Sequence, residues 1–159
     1  MKQSELELAI DTGRDLHDTM MAFRAKHGWG RAIAAPQIGV MKRVIYMHVD
    51  KPWLIINPVA TNPSSELLEI WDDCMSFPDL LVRLHRHCSF DMTYRDEHWA
   101  EQVVHVDALL SELLQHEMDH LDGTLAVSRA IDGSSFALQS QRQLLTGGSF
   151  ANKVAPGGG

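Results

Sequence analysis

The segment at residues 115–120, with the sequence QHEMDH, constrains the fold of this chain more than any other feature. It contains the pattern His-Glu-x-x-His. On a helix this spacing places His116 and His120 one turn apart on the same face, so both imidazoles can reach one metal ion. Glu117 lies beside them, close enough to act on a water molecule bound to that ion. The pattern therefore predicts a helix here and the metal-assisted hydrolysis of a carbonyl compound, although it also occurs by chance in unrelated helices.

The amino-acid composition narrows the class of protein. The chain has 159 residues, of which 45% are hydrophobic and 22% charged, which is sufficient for one domain with a sizeable core. Its formal net charge of −7 and the lack of a long Lys/Arg run argue against nucleic acid or an anionic membrane surface as a partner. No apolar run is long enough to span a bilayer, and the N-terminus resembles neither a signal peptide nor a transit peptide. We therefore expect a cytoplasmic protein without a membrane partner, and no pattern indicates an oligomeric state.

Hydrophobic spacing predicts a helix near the N-terminus, followed by strands. Ser4 and Glu7 form a capping-box pattern, and apolar residues recur at helical spacing over residues 5–26. Gly28 and Gly30 then end the helix. Short segments rich in branched and aromatic residues predict strands at residues 43–49, 53–57, 67–71, 81–86, 88–94 and 102–106.

A second helix is expected after Asp107, a candidate N-cap residue, and this helix carries the His-Glu-x-x-His pattern. The predicted fold class is α+β, with antiparallel β-strands packed around this central C-terminal helix and the first helix at the N-terminus. We expect one catalytic domain over residues 1–159. Its end, from about residue 147 to residue 159, is rich in Gly and is expected to be a mobile tail.

A catalytic metal site of this kind requires a third protein ligand and an open position for water. Cys74, in the turn-like segment at residues 72–78, is a candidate for that ligand, although most free cysteines are small buried hydrophobic residues. A thiolate and two imidazoles suit Fe²⁺, Zn²⁺, Ni²⁺ and Co²⁺, so several ions are consistent with this set of ligands.

Three motifs together resemble those of a known family. The segments at residues 30–37 (GRAIAAPQ), 72–76 (DDCMS) and 115–120 (QHEMDH) have the order and approximate separations found in peptide deformylase. The resemblance covers roughly residues 5–130. It implies a metal-dependent hydrolase that removes the formyl group from the N-terminal formylmethionine of peptides. It also implies one divalent metal ion, with Fe²⁺ the expected one.

The resemblance further implies a role for individual residues. Glu117 would be the general acid/base, taking a proton from water and handing it to the departing amine. Gln37 would donate its side-chain amide, and Met75 its backbone N–H, to the oxyanion that forms on the formyl group. The implied metal ligands are Cys74, His116 and His120.

The segments that would bind the substrate depart from the family pattern. The implied substrate contacts are Gly30, Ala32, Ile33 and Asp73. Ala32 and Asp73 stand where the family has glycines, and Asp72 stands where it has glutamate. Because the family holds its substrate as an extended strand against these segments, the methyl group of Ala32 would narrow the slot. The carboxylate of Asp73 would disfavour acidic substrates.

Several other charged residues need an interpretation. Asp119 either orients a ligand histidine from behind or is a solvated charge on the helix. Arg31 is expected at the surface near the entrance of the site. The remaining histidines have no ligand spacing to the site and are expected to be structural or exposed; they are His17, His27, His48, His85, His87, His98 and His105.

Four functions are compatible with these observations. The first is hydrolysis of formylmethionyl peptides, and the second is hydrolysis of a small N-formyl metabolite or a specialised peptide, suggested by Ala32 and Asp73. The third is a degenerate homologue that binds a peptide or metal without catalysis, which would have no need for Gln37 or Glu117. The fourth is a plain zinc endopeptidase, which leaves Cys74 unexplained.

Overall fold

Helix α1 spans Leu6–His27 in the computed structural model, which describes residues 1–145 and 149–150. Its buried face, which includes Leu16 and Met20, packs against the first β-sheet. Gly28 ends the helix in the left-handed conformation, at φ 77°, as the sequence predicted. The predicted capping box at Ser4 is wrong. The N-cap residue is Glu5, whose carboxylate accepts hydrogen bonds from the Lys2 N–H and from the Lys42 ammonium group.

The strands form two sheets. The first has the order β1-β2-β3-β6-β7 and is antiparallel throughout. Its strands are Ala32–Ala34, Val44–His48, Pro52–Thr61, Ser89–Arg95 and Glu101–Asp107. The second has the order β8-β5-β4-β9, in which only the β4–β9 pair is parallel. Its strands are β4 (Leu67–Cys74), β5 (Phe77–His87), β8 (Phe136–Leu138) and β9 (Ser149–Phe150).

The hairpin of β4 and β5 is longer than the sequence predicted. Residues 72–78 were expected to form a turn, but β4 continues to Cys74 and β5 begins at Phe77. Pairing with the partner strand extends both strands beyond their apolar segments. The short strands β1 and β8 were missed, because three residues are too few to show a period. The extended β4 delivers Cys74 to the end of a strand, beside the second helix.

Helix α2 spans Ala108–Leu121 and begins after Asp107, the predicted N-cap residue. The Asp107 side chain makes no capping hydrogen bond. The Gln115 side chain instead fastens the helix to β5, accepting from the His87 N–H at 2.9 Å and donating to the His87 carbonyl at 2.8 Å. Leu113 and Leu114 face the core of the first sheet. These contacts fix the position of the segment that follows.

The predicted α+β class, with antiparallel sheets, an N-terminal helix and a C-terminal helix, is confirmed. Within the residues described here, no helix has the apolar length needed to cross a bilayer. The tail expected over residues 147–159 lies outside the described part of the chain, except for the two residues of β9.

Candidate active site

The side chains of Cys74, His116 and His120 converge between the end of β4 and helix α2. The Cys74 Sγ lies 3.4 Å from the His120 Nε2, which lies 3.0 Å from the His116 Nε2. All three side chains are buried, and their ligand atoms lie within 4.8 Å of one another. In the described part of the chain, no other group of His, Cys, Asp and Glu side chains forms such a cluster. The helical spacing brought the two histidines together, and the β4–β5 hairpin added the cysteine.

The chemistry of these three side chains fits a divalent metal ion. Burial and the neighbouring His116 lower the pKa of His120 to about 4, so its imidazole stays neutral, which is the form that binds metals. Burial lowers the pKa of His116, but the Asp72 carboxylate raises it more strongly, and the net change is an increase. The Asp72 carboxylate therefore favours a positive charge at His116. One sulfur and two imidazole nitrogens are ligands that Zn²⁺ and Fe²⁺ accept.

Asp72 orients the imidazole of His116. Its Oδ2 lies 2.7 Å from the His116 Nδ1, an arrangement that places the ring proton on Nδ1 and leaves Nε2 free to bind a metal. Asp72 is fully buried, and its other partner is Arg86, whose Nη2 donates to the same Oδ2 at 3.0 Å. The shorter aspartate thus reaches the histidine without the extra methylene group of the family's glutamate.

Replacement of Asp72 by asparagine is expected to lower the metal affinity about 10–100-fold, because the amide cannot hold the His116 tautomer as a carboxylate does. Competition with a chromophoric chelator measures the affinity. Asp122→Asn, at an exposed aspartate at the end of α2, is the control. Equal metal affinities in the two variants would contradict this role of Asp72.

Both interpretations of Asp119 are wrong. The side chain is buried, and it binds two arginines instead of a histidine. Arg86 Nη1 donates to the Asp119 Oδ2. The Arg129 Nε donates to the same oxygen at 2.6 Å, and the Arg129 Nη2 donates to the Asp119 Oδ1 at 2.7 Å. Asp119 therefore acts on the site through Arg86, which bridges it to Asp72. No local pattern indicates this network, because its members are far apart along the chain.

Glu117 is 3% exposed and lies on α2 next to His116. Its Oε2 has no hydrogen-bond partner among the described residues. Burial raises the pKa of Glu117 to about 7. A carboxyl group with this pKa can accept or release a proton near neutral pH, as a general acid/base must.

Gln37 is held with its amide NH₂ directed toward Cys74. Its Oε1 accepts a hydrogen bond from the Ala34 N–H at 2.9 Å, which fixes the orientation of the amide. Its Nε2 donates to the Ser76 Oγ at 2.9 Å and lies 3.9 Å from the Cys74 Sγ. Ser76 belongs to the second motif, and its contact with Gln37 was not predicted from the sequence. Met75 lies between Cys74 and Ser76, so its backbone N–H is adjacent to the cluster.

A small cavity adjoins the cluster at Cys74, His116 and Glu117. Its lining includes Gly30, Arg31, Ala32, Asp73, His116 and Glu117. Three of the four expected substrate contacts, Gly30, Ala32 and Asp73, line this cavity. Ile33 does not line it and instead packs against the buried face of α1. Gly30 has φ 128°, and a Cβ atom there would meet the Met75 sulfur at 3.2 Å, so the position requires glycine.

Arg31 was expected at the surface near the entrance of the site; it lines the cavity beside the cluster, but its side chain is largely buried. Its side chain is 16% exposed, and its Nη2 donates to the Glu112 Oε1 at 2.8 Å; the Glu112 side chain is 1% exposed. Burial raises the pKa of Glu112 to about 7, against the opposing effect of Arg31. Glu112 was missed because a glutamate four residues before His116 is ordinary on a helix, and Arg31 is distant in sequence.

Asp73 faces the same cavity and is buried. Burial and the neighbouring Asp72 carboxylate raise the pKa of Asp73 to about 6. The Gln139 Nε2 donates to the Asp73 Oδ2 at 3.2 Å, so a residue beyond the three motifs also contacts the site.

The other seven histidines lie outside the cluster. His17 and His48 contact the Tyr46 hydroxyl, and His87 contacts the Ser64 carbonyl. These contacts agree with the structural role expected of His17, His48 and His87.

Comparison with known proteins gives a consistent result. The family model of polypeptide deformylase matches residues 2–135. The peptide deformylase of Synechocystis is 34% identical over 106 residues, which are 63% of this chain and 57% of that protein. The peptide deformylase of Prosthecochloris aestuarii is 33% identical over 129 residues, 76% of this chain and 68% of that protein. The chain thus spans 57–68% of the length of these two relatives.

Solved structures show the same similarity. The peptide deformylase of Thermus thermophilus superposes with a TM-score of 0.70 at 29% identity, over 81% of this chain and 74% of that one. The peptide deformylase of Synechococcus elongatus, solved with actinonin, superposes with a TM-score of 0.68 at 30% identity, over 76% of this chain and 66% of that one.

Proposed function

Because this chain belongs to the polypeptide deformylase family, we propose that it is a metal-dependent hydrolase that removes the formyl group from the N-terminus of peptides. Formylmethionyl peptides are the substrate that membership of the family implies. The observation that carries the proposal is the convergence of Cys74, His116 and His120 beside the buried Glu117. The single-domain organisation and the cytoplasmic location stay predictions.

The three converging side chains would hold one divalent ion and leave a position open for water. Such an ion would lower the pKa of a bound water molecule and polarise the formyl carbonyl group. The thiolate of Cys74 favours Fe²⁺, Zn²⁺, Ni²⁺ or Co²⁺ over a hard ion such as Mg²⁺. We retain Fe²⁺ as the expected ion.

Glu117 performs the proton transfers. It takes a proton from the attacking water as the oxygen adds to the formyl carbon. It then gives this proton to the amine nitrogen as the C–N bond breaks, so that the products are formate and a free amine. The pKa of about 7 suits both steps, because the carboxylate and the acid are both accessible near neutral pH.

Gln37 and the backbone N–H of Met75 stabilise the negative charge that develops on the formyl oxygen. Donors of this kind contribute about 2.7–4 kcal/mol each to the stability of a transition state. The hydrogen bond from the Ala34 N–H to the Gln37 Oε1 supports this role, because it keeps the donating end of the amide toward the cluster.

Replacement of Gln37 by leucine is expected to lower kcat by about 10²–10³-fold while the metal content stays unchanged, because the oxyanion loses a donor. Rates of formate release and metal analysis of the same preparation measure the two quantities. Ser76→Ala removes only the hydroxyl group that contacts Gln37 and is expected to have a smaller effect. A Gln37 variant with a normal kcat would exclude this residue as an oxyanion donor.

The proposed function is tested by release of formate from formylated peptides. The protein is purified anaerobically and reloaded separately with Fe²⁺, Ni²⁺ or Zn²⁺. Metal-dependent release is the expected result. Tight metal binding without release from any formyl peptide would instead indicate a homologue that binds without catalysis. That alternative leaves the directed amide of Gln37 and the unpartnered oxygen of Glu117 unexplained.

A further inference from the structure

We propose that Arg31, Glu112 and Asp73 restrict the first residue of the substrate, so that this site prefers N-formyl peptides beginning with glycine, alanine or serine over those beginning with methionine. The inference rests on the proposed function and specifies the substrate of the same site. It depends on the position, the size and the charge of the cavity beside Glu117.

The position follows from the chemistry of the leaving group. Glu117 must reach the amine nitrogen to which it gives a proton. The Cα atom and the first side chain of the substrate are attached to that nitrogen, so they lie on the Glu117 side of the cluster. The cavity lies at the cluster itself, since Cys74, His116 and Glu117 line it, and Arg31 and Asp73 line the same space. A larger open groove is lined by Gln37, Ser76 and His120, and neither Glu117 nor Arg31 lines it.

The size of the cavity excludes a long side chain. Its volume is about 20 Å³, which is about the room that one water molecule needs. A hydrogen atom, a methyl group or a hydroxymethyl group can enter such a space. The methionine side chain, with four non-hydrogen atoms, enters only if the side chains that line the cavity move.

The ion pair with Glu112 keeps the Arg31 side chain in its position in the cavity lining. The Arg31 Nη2 is 2.8 Å from the Glu112 Oε1, and the Glu112 side chain is 1% exposed. The other oxygen of Glu112 has no partner among the described residues. Displacing Arg31 would leave the buried Glu112 carboxyl group without a partner among the described residues, which is unfavourable whether the group is charged or protonated. The Asp73 side chain is buried against the same space and hydrogen-bonded to Gln139. A thioether chain would have to pack against these polar groups without satisfying them.

The test compares three formyl peptides that differ only in the first residue: glycine, serine and methionine, each followed by the same two residues. The wild-type protein is expected to give a kcat/KM at least about tenfold higher for the glycine or serine peptide than for the methionine peptide. Calorimetry on the Zn²⁺-loaded Glu117→Ala variant, which binds without turnover, is expected to give the same order of Kd values.

A double variant, Arg31→Leu with Glu112→Leu, replaces the pair by apolar side chains, a change that buried pairs often tolerate without loss of stability. It is expected to shift the ratio of kcat/KM at least about tenfold toward the methionine peptide. The matched control is Arg14→Ala with Asp11→Ala, which removes an exposed ion pair on α1 and leaves the ratio unchanged.

The outcomes separate the inference from the proposed function. A wild-type protein that releases formate fastest from the methionine peptide overturns the inference but supports the function. Absence of formate from every peptide and every metal form overturns the function itself. Thermal unfolding shows whether the double variant folds. If it does not fold, the wild-type rates and the calorimetric Kd values still show whether the site prefers a small first residue to methionine.

Discussion

Replacement of Glu117 by alanine is expected to lower kcat by about 10²–10⁴-fold, the usual contribution of a positioned general acid/base. The metal content is expected to stay the same, because the proposed ligands are Cys74, His116 and His120. The folded state is not expected to suffer, since the carboxyl group is 3% exposed and one of its oxygens has no partner among the described residues. Removing it takes away a desolvated group that the fold does not satisfy.

Single-turnover rates of formate release, metal analysis and thermal unfolding measure the three quantities for Glu117→Ala. The control is Glu101→Ala, at an exposed glutamate on β7 whose side chain pairs with Arg95. A variant that turns over at the wild-type rate would exclude Glu117 from the proton transfers. Loss of the metal together with activity would instead assign it a role in building the site.

Replacement of Arg86 by methionine is expected to have the largest effect on stability. Its guanidinium group is buried between Asp72 and Asp119, so the variant leaves two buried carboxylates without this partner. Breaking a buried pair by removing one member costs about 3–5 kcal/mol. For a protein of this size, each kcal/mol lowers Tm by about 2–4 °C. The Asp72 carboxylate also loses its hydrogen bond from Arg86. Because Asp72 orients His116, the metal affinity is expected to fall.

Thermal and urea unfolding of Arg86→Met measure the change in the free energy of unfolding. Arg43→Met is the matched control, because Arg43 forms a comparable pair with Asp122 at 2.7 Å, but with side chains 40% and 60% exposed. Exposed pairs of this kind contribute about 0–1 kcal/mol. Equal losses of stability in the two variants would show that the buried arginine does not hold the network together.

The strands illustrate how far local patterns predict a fold. The predicted α1 and the positions of six strands agree with the structure to within a few residues, because each depends on a period that the sequence displays. The extension of β4 to Cys74 and of β5 back to Phe77 depends on pairing between the two strands, which residues 72–78 do not reveal. The parallel pairing of β9 with β4 is a contact between segments about 80 residues apart.

The sequence by itself determined the chemistry of the site. His116, Glu117 and His120 are neighbours on one helix, so their spacing alone places them together, and the three ordered motifs added Cys74 and Gln37. Only the tertiary structure decided what surrounds this chemistry. Arg31 meets Glu112 across 81 positions of the chain, and Arg86 meets Asp119 across 33. Helical periodicity acts over a few residues, whereas the burial and pairing of these charges depend on how the sheets and α2 pack together.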